Sequence, residues 1–117
     1  MPAGDIDCLF CRIVRGDVPA DVVRESQRTV AFRDINPQAP VHVLVVSREH
    51  HASAGELAAA DPQTAAEVLR EAAAVASAEG ADAGYRIVLN TGAAAGQSVQ
   101  HVHAHVLGGR ALGWPPG

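Results

Sequence analysis

The chain has 117 residues, 48% of them apolar, with a formal charge of −4 and a pI near 5.8. That length fits one domain, and the apolar share excludes a disordered chain. The scattered arginines do not form the basic face of a nucleic-acid binder, and no run of residues is long and apolar enough to span a bilayer.

At the N-terminus the basic-then-apolar order of a secretion signal is missing, so a cytoplasmic location is expected. In that compartment Cys8 and Cys11, spaced as Cys-Leu-Phe-Cys, are not expected to form a disulfide. A metal or redox pair remains, and two thiolates alone cannot complete a tetrahedral zinc site. Residues 8–15 read as a short helical turn, closed by Gly16 and by Pro19 soon after. Residues 21–25 and 29–34 read as strands, the second built around Val30 and Phe32. Asn36-Pro37-Gln38-Ala39-Pro40 is a turn, because two prolines break any ladder there. Residues 41–46 are rich in β-branched side chains and read as a central strand.

The stretch 58–83 is rich in alanine. Within it Asp61 serves as N-cap and Pro62 as the first helical residue of a long helix. Ala65, Val68, Leu69, Ala72, Val75 and Ala76 recur at helical spacing as its expected buried stripe, and Gly80 stops it. Residues 85–90 and 99–107 read as two further strands, separated by a loop at 91–98 that carries two glycines. Short helix, three strands, long helix, two strands: this order predicts an α+β domain with the long helix on one face of a mostly antiparallel sheet.

The last strand holds the most informative pattern. His101, His103 and His105 alternate with Val102, Ala104 and Val106, so the three imidazoles share one face. Their Cα atoms are spaced by roughly 6.6 Å, close enough to surround one small anion or metal. A neutral imidazole suits ligation and catalysis alike.

The run Asn90-Thr91-Gly92, then Gly96-Gln97-Ser98-Val99-Gln100-His101-Val102-His103-Ala104-His105-Val106-Leu107-Gly108-Gly109-Arg110, resembles the histidine-triad (HIT) family. It is most similar to the branch of purine nucleoside phosphoramidases. Val18-Pro19-Ala20, Ala31-Phe32-Arg33-Asp34-Ile35, Pro37-Gln38-Ala39-Pro40, His42 and Trp114-Pro115-Pro116-Gly117 extend the match through essentially the whole chain, as a single HIT domain over residues 1–117. The resemblance implies a five-stranded sheet with one long helix and a short N-terminal helix. It also implies a homodimer, joined through the long helix and the strand before the triad into a continuous ten-stranded sheet, with Trp114 near the partner's site.

The chemistry the resemblance implies is nucleotidyl transfer to His103. That ring attacks the α-phosphorus and expels an amine or alcohol, and water then releases the nucleoside monophosphate. His105 and His42 contact phosphate oxygens or share protons, Ser98 hydrogen-bonds the leaving group, and the His101 carbonyl anchors the His103 ring. The loop around Gly96, Gln97, Ser98 and Val99 approaches the phosphate. Asp34, which on its own reads as a solvated strand-end carboxylate, becomes the acceptor for the ribose hydroxyls. Phe10, Ile13, Val18, Phe32 and Ile35, which taken alone could be core, become the walls around the base, with Asn90 beside the ribose and phosphate.

Cys8 and Cys11 match bacterial relatives in which both thiols, a later histidine and the first triad histidine hold a structural Zn²⁺. Those positions are Cys8, Cys11, His50 and His101, with His51 an adjacent competitor for His50. Two other readings stay open. One is a dinucleoside polyphosphate hydrolase, against which Gly108-Gly109 and the Trp-Pro-Pro-Gly ending speak. The other is a non-catalytic nucleotide- or zinc-binding interaction module.

Overall fold

The computed structural model describes residues 7–117; the secretion-signal reading and the first residues of the expected domain lie outside them. Cys8 caps the first helix, α1 (Leu9–Val14), by accepting the Cys11 backbone N–H on its Sγ at 3.4 Å. Three strands follow, β1 (Val22–Glu25), β2 (Thr29–Arg33) and β3 (Val41–Ser47). After helices α2 (Ala54–Ala60) and α3 (Pro62–Ala78) come β4 (Tyr85–Val88), a short 3₁₀ turn (Ala93–Ala95) and β5 (His103–Gly108). The strands form one sheet in the order β1-β2-β3-β5-β4, with every pair antiparallel.

Period-two alternation gives this sheet two apolar faces. Ala31, Val43, Val45, Ala104 and Val106 point to one side, where Leu57 of α2 and Val68, Ala72, Val75 and Ala76 of α3 cover them. Val30, Phe32, Leu44 and Val46 point to the other, where Cys8, Phe10 and Cys11 of the α1 segment cover them. Each fully buried valine contributes about 1.5–3 kcal/mol to such a core. The second face is only partly roofed by the short α1, and the site lies there.

Several expectations are corrected. The helix α2 is not among the sequence expectations, because at seven residues it is too short and, with Leu57 its one large apolar side chain, too uniform to show a helical period. It starts at Ser53, whose hydroxyl accepts the Glu56 N–H at 3.4 Å, and ends at Asp61, the residue before Pro62. Asp61 does cap α3, accepting the Thr64 N–H at 3.2 Å. Leu69, expected in the buried stripe, is 52% exposed. One residue is a turn of about 100° around the helix axis, so a face centred on Val68 and Ala72 leaves Leu69 outside.

Glu67 and Glu71 occupy that inner face instead. Glu67 accepts from Ser26 Oγ at 2.6 Å and from the Arg28 N–H at 2.8 Å, and Glu71 pairs with Arg24 at 2.7 Å. These carboxylates hold the β1–β2 hairpin against α3. The last strand begins at His103 rather than residue 99, because the Val102 N–H goes to the His51 carbonyl at 2.7 Å instead of to a ladder partner. The strand expected at 85–90 is likewise shorter, ending at Val88. Among the described residues no helix is long and apolar enough to cross a membrane.

Candidate active site and metal centre

Register places the histidines. Strand β3 meets β5 with Val46 opposite His103, Leu44 opposite His105 and His42 opposite Leu107, so His42, His103 and His105 all project from the α1-covered face. The His103 and His105 rings lie 5.0 Å apart, and those of His42 and His105 5.2 Å apart.

Backbone groups fix which nitrogen carries each proton. His103 Nδ1 lies 2.7 Å from the His101 carbonyl. A carbonyl only accepts, so Nδ1 is the donor and the Nε2 lone pair is free. At His42 the reverse holds: the Gln38 N–H donates to Nδ1 at 3.0 Å. The neutral ring therefore carries its proton on Nε2, which lies 2.9 Å from His105 Nδ1 and 3.4 Å from an Asp34 carboxylate oxygen. His105 Nδ1 thus accepts, and its Nε2 holds a proton. The arrangement sets a free lone pair on His103 beside an N–H donor on His105.

Burial keeps the His42 and His105 rings neutral. It pushes His105 down to about 4, with the neighbouring His103 and His42 acting in the same direction. His42 is lowered by burial as well, partly opposed by the Asp34 charge.

Phe10, Ile13, Val18, Phe32 and Ile35 line one cavity of about 300 Å³, whose wall also contains Asp34, Ser98, Val99, His103 and His105. Phe10 meets Phe32 edge-on at 5.5 Å and His103 at 5.0 Å. Ile35 is fully exposed at the rim. Asp34 accepts the Asn36 N–H at 2.8 Å, which aims the strand-end carboxylate. The sequence reading missed Leu44, which also lines the cavity. Its signal was available, since Leu44 stands two residues from His42 on the same strand face.

Asn90, Gly96 and Gln97 are not in this wall. The Gln97 amide is buried and closes the loop, accepting the Gly92 N–H at 2.9 Å and donating to the carbonyls of Ala52 at 2.7 Å and Val99 at 3.0 Å. Gly96 follows the 3₁₀ turn with φ +89°, a conformation that favours glycine. Trp114 is 84% exposed. A larger concavity of about 560 Å³ lies beside β4, around Gly84, Arg86 and Arg110, but its lining holds no histidine, thiol or carboxylate.

A second cluster adjoins the first. The side-chain donors of Cys8, Cys11, His50 and His101 all lie within 4.8 Å of one another. His101 Nδ1 is 3.3 Å from Cys8 Sγ and 3.4 Å from Cys11 Sγ, and His50 Nδ1 is 3.4 Å from Cys11 Sγ. Such separations suit donors sharing one tetrahedral ion at Zn–S and Zn–N distances of about 2.3 and 2.0 Å. The His101 ring is also in the right tautomer. Its Nε2 donates to the Ser47 carbonyl at 2.7 Å, which leaves the Nδ1 lone pair facing the thiols. Burial pushes His101 down to about 4, which keeps that lone pair available. The donor set fits zinc. His51 is outside the group, its Nε2 buried without a hydrogen-bond partner among the described residues.

Asp34, His42 and His105 are equally close to one another. Here the tautomer argues against a metal: the Gln38 N–H on His42 Nδ1 keeps the proton on the Nε2 that would have to ligate. That trio is arranged to pass a proton.

Comparison with known proteins agrees with this geometry. The HIT domain pattern matches residues 15–112. A 14 kDa zinc-binding protein of Zea mays is 42% identical over 116 residues, covering 97% of this chain and 90% of that one. The crystal structure of a HIT family hydrolase from Legionella pneumophila superposes with a TM-score of 0.89 at 46% identity, covering 94% and 99% of the two chains. A Zn-bound histidine triad family protein from Mycobacterium smegmatis superposes with a TM-score of 0.80 at 33% identity, covering 96% and 81%.

Proposed function

The chain belongs to the HIT domain family, and from that premise we propose that it hydrolyses purine nucleoside 5′-phosphoramidates through a nucleotidyl-His103 intermediate. The observation that carries this reading is the His103 ring, which lines a nucleoside-sized cavity while the His101 carbonyl holds its Nδ1–H and leaves Nε2 free.

The base lies between Phe10, Ile13, Val18, Phe32 and Ile35, and the ribose diol donates to Asp34. His103 Nε2 attacks the α-phosphorus as the P–N bond breaks. An amine is a poor leaving group until protonated, and a placed donor is worth about 10²–10⁴ in rate. The His42–His105 pair, neutral in the free site, takes up a solvent proton beside the anionic phosphate and passes it to the leaving nitrogen through the Ser98 hydroxyl. Water then attacks phosphorus, the P–Nε2 bond breaks, and the proton lost by the water returns to the pair. Ser98 and Val99, which line the cavity, frame the phosphate, while Asn90, Gly96 and Gln97 lie outside its wall and Gln97 holds the loop in shape. The Legionella relative bears the name hydrolase, which supports the reaction class.

Cys8, Cys11, His50 and His101 hold Zn²⁺ in this reading. When bound, the ion supplies a cross-link between the α1 segment, the chain after β3 and the segment just before β5. With four protein donors it leaves no open position for chemistry. The zinc-binding maize relative and the Zn-bound mycobacterial one support this. The chain pairs as a homodimer along β4, an edge strand of the sheet, with the exposed Leu69 and Tyr85 in the contact and Trp114 near the partner's site.

The test compares adenosine 5′-phosphoramidate with a dinucleoside polyphosphate and looks for a nucleotide bound covalently to His103 by mass spectrometry. Release of amine and AMP with a trapped adduct is expected. Preference for the polyphosphate would move the chain to the other hydrolase branch, and tight AMP binding without turnover of either would make it a binding module.

A further inference from the structure

We infer that the Cys8–Cys11–His50–His101 centre is coupled to the nucleophile: closing these four side chains on one ion sets both the tautomer of His103 and the position of the ring that faces the base. His101 and Phe10 act here as positioning residues. This rests on the reading of His103 given above, and it extends that reading from a passive cross-link to control of the site.

Two independent connections carry it. The first runs through His101. Its ring Nδ1 lies among the thiols, while its own carbonyl, in the same residue, receives the His103 Nδ1–H at 2.7 Å. A shift of the His101 main chain, once its ring is no longer tethered to the thiols, therefore moves the acceptor that keeps the His103 lone pair on Nε2. The His101 ring is fully buried, and besides the cysteines its polar contacts are with Ser47, through Nε2 to the carbonyl at 2.7 Å and to the hydroxyl at 3.4 Å. The β5 ladder begins only at His103, and the peptide that carries the His101 carbonyl is held instead through its Val102 N–H, which donates at 2.7 Å to the carbonyl of His51, the neighbour of the ligand His50.

The second connection runs through Phe10. It sits between the two cysteines on a helix of six residues, too short to be stable alone. Its ring packs edge-on against His103 at 5.0 Å, His101 at 5.9 Å and Phe32 at 5.5 Å, and it lines the cavity. Whatever anchors Cys8 and Cys11 to the sheet also anchors this ring. Leu9, Ser98 and Val99 are common to the cavity and to a second hollow lined by Cys8 and His50, so the two sites share a wall.

The experiment strips zinc from the folded protein with a chelator, circular dichroism verifying that the sheet persists. Two readouts follow that need no turnover: the ¹⁵N signals of the His103 imidazole, and the affinity for adenosine 5′-monophosphate by calorimetry. The zinc-loaded form is expected to show one fixed Nδ1–H tautomer. The stripped form is expected to show averaged ring nitrogens and an affinity weaker by about tenfold, the size of one lost base–aromatic contact. Re-addition of Zn²⁺ restores both. An unchanged tautomer together with unchanged affinity overturns the coupling.

Should the stripped chain lose its sheet, the His50→Ala variant, which keeps three of the four donors and leaves the cavity wall intact, provides the same test. Weaker binding with a disturbed His103 pattern supports the coupling, and an undisturbed pattern overturns it. Failure to cleave any phosphoramidate would count against the proposed reaction and leave these two readouts standing.

Discussion

His42 Nε2 lies 2.9 Å from His105 Nδ1, and the backbone N–H of Gln38 on the far side of the His42 ring decides that the proton between them belongs to His42. A main-chain group in a proline-flanked turn thereby sets the direction of the hydrogen bond from His42 to His105, whose ring lines the cavity.

Loss of the nucleophile is the most direct prediction. His103→Asn should retain nucleotide affinity but lower kcat for an adenosine phosphoramidate by at least about 10³-fold, as removal of a covalent nucleophile does elsewhere. Steady-state kinetics beside calorimetry check this, and a variant within tenfold of the parent rules out the covalent route.

Asp34 should discriminate sugars. A hydrogen bond to a charged acceptor is worth about 1.5–3 kcal/mol, so the parent should favour ribonucleotide over 2′-deoxyribonucleotide by about tenfold or more in kcat/KM. Asp34→Ala should lose that preference. A variant that still discriminates would remove the ribose role from Asp34.

Stability should fall on acidification. His105 is lowered to about 4 by burial from an ordinary value near 6.5, and His42 is lowered in the same direction. Between those two values the unfolded chain binds a proton at His105 that the folded chain does not. The free energy of unfolding therefore decreases as pH falls from 6.5 towards 4, and the contribution is intact above 6.5. Urea denaturation at pH 7.5 and 5 should show a smaller loss for His105→Asn than for the parent. An equal loss in both would mean that His105 titrates normally.

Zinc removal should cost thermal stability. A ligand at a hundred times its dissociation constant stabilises the folded state by about 2.7 kcal/mol, which in a domain of this size is about 10 °C in Tm. Chelation should lower Tm by that order, and Cys11→Ser should reproduce the loss with chelator adding little. A chelator-insensitive Tm in the parent would show that the four donors hold no metal.

Pairing along β4 predicts a dimer in solution. Leu69→Glu, on the exposed side of α3, should shift sedimentation to the monomer while leaving circular dichroism unchanged. A parent that sediments as a monomer would refute the pairing.

The alternation of His101, His103 and His105 with Val102, Ala104 and Val106 was legible because the side-chain period of an extended chain is local, and it held even where the ladder does not yet include residue 101. The start of α3 was legible for the same kind of reason, since Asp61 and Pro62 act within one turn of the helix they begin. Leu69 and α2 were misjudged or missed because an alanine-rich stretch carries little periodic contrast. The buried face of α3 is chosen by what the sheet offers, and it accepts Glu67 and Glu71 where the β1–β2 hairpin brings Ser26, Arg24 and the Arg28 N–H to meet them.

The amino-acid order by itself therefore determined most of the elements, α2 excepted, the histidine-bearing face and the set of residue types available for chemistry, all of which follow from interactions among near neighbours in the chain. Only the tertiary structure decided that His50 rather than His51 joins the thiols, that Gln97 closes a loop, and that each imidazole holds its proton on a particular nitrogen. Most of those outcomes depend on groups far apart in sequence meeting within hydrogen-bond distance, as Cys8 meets His101 and His42 meets His105. No local propensity encodes such meetings; the register of β3 on β5 and the docking of α1 do.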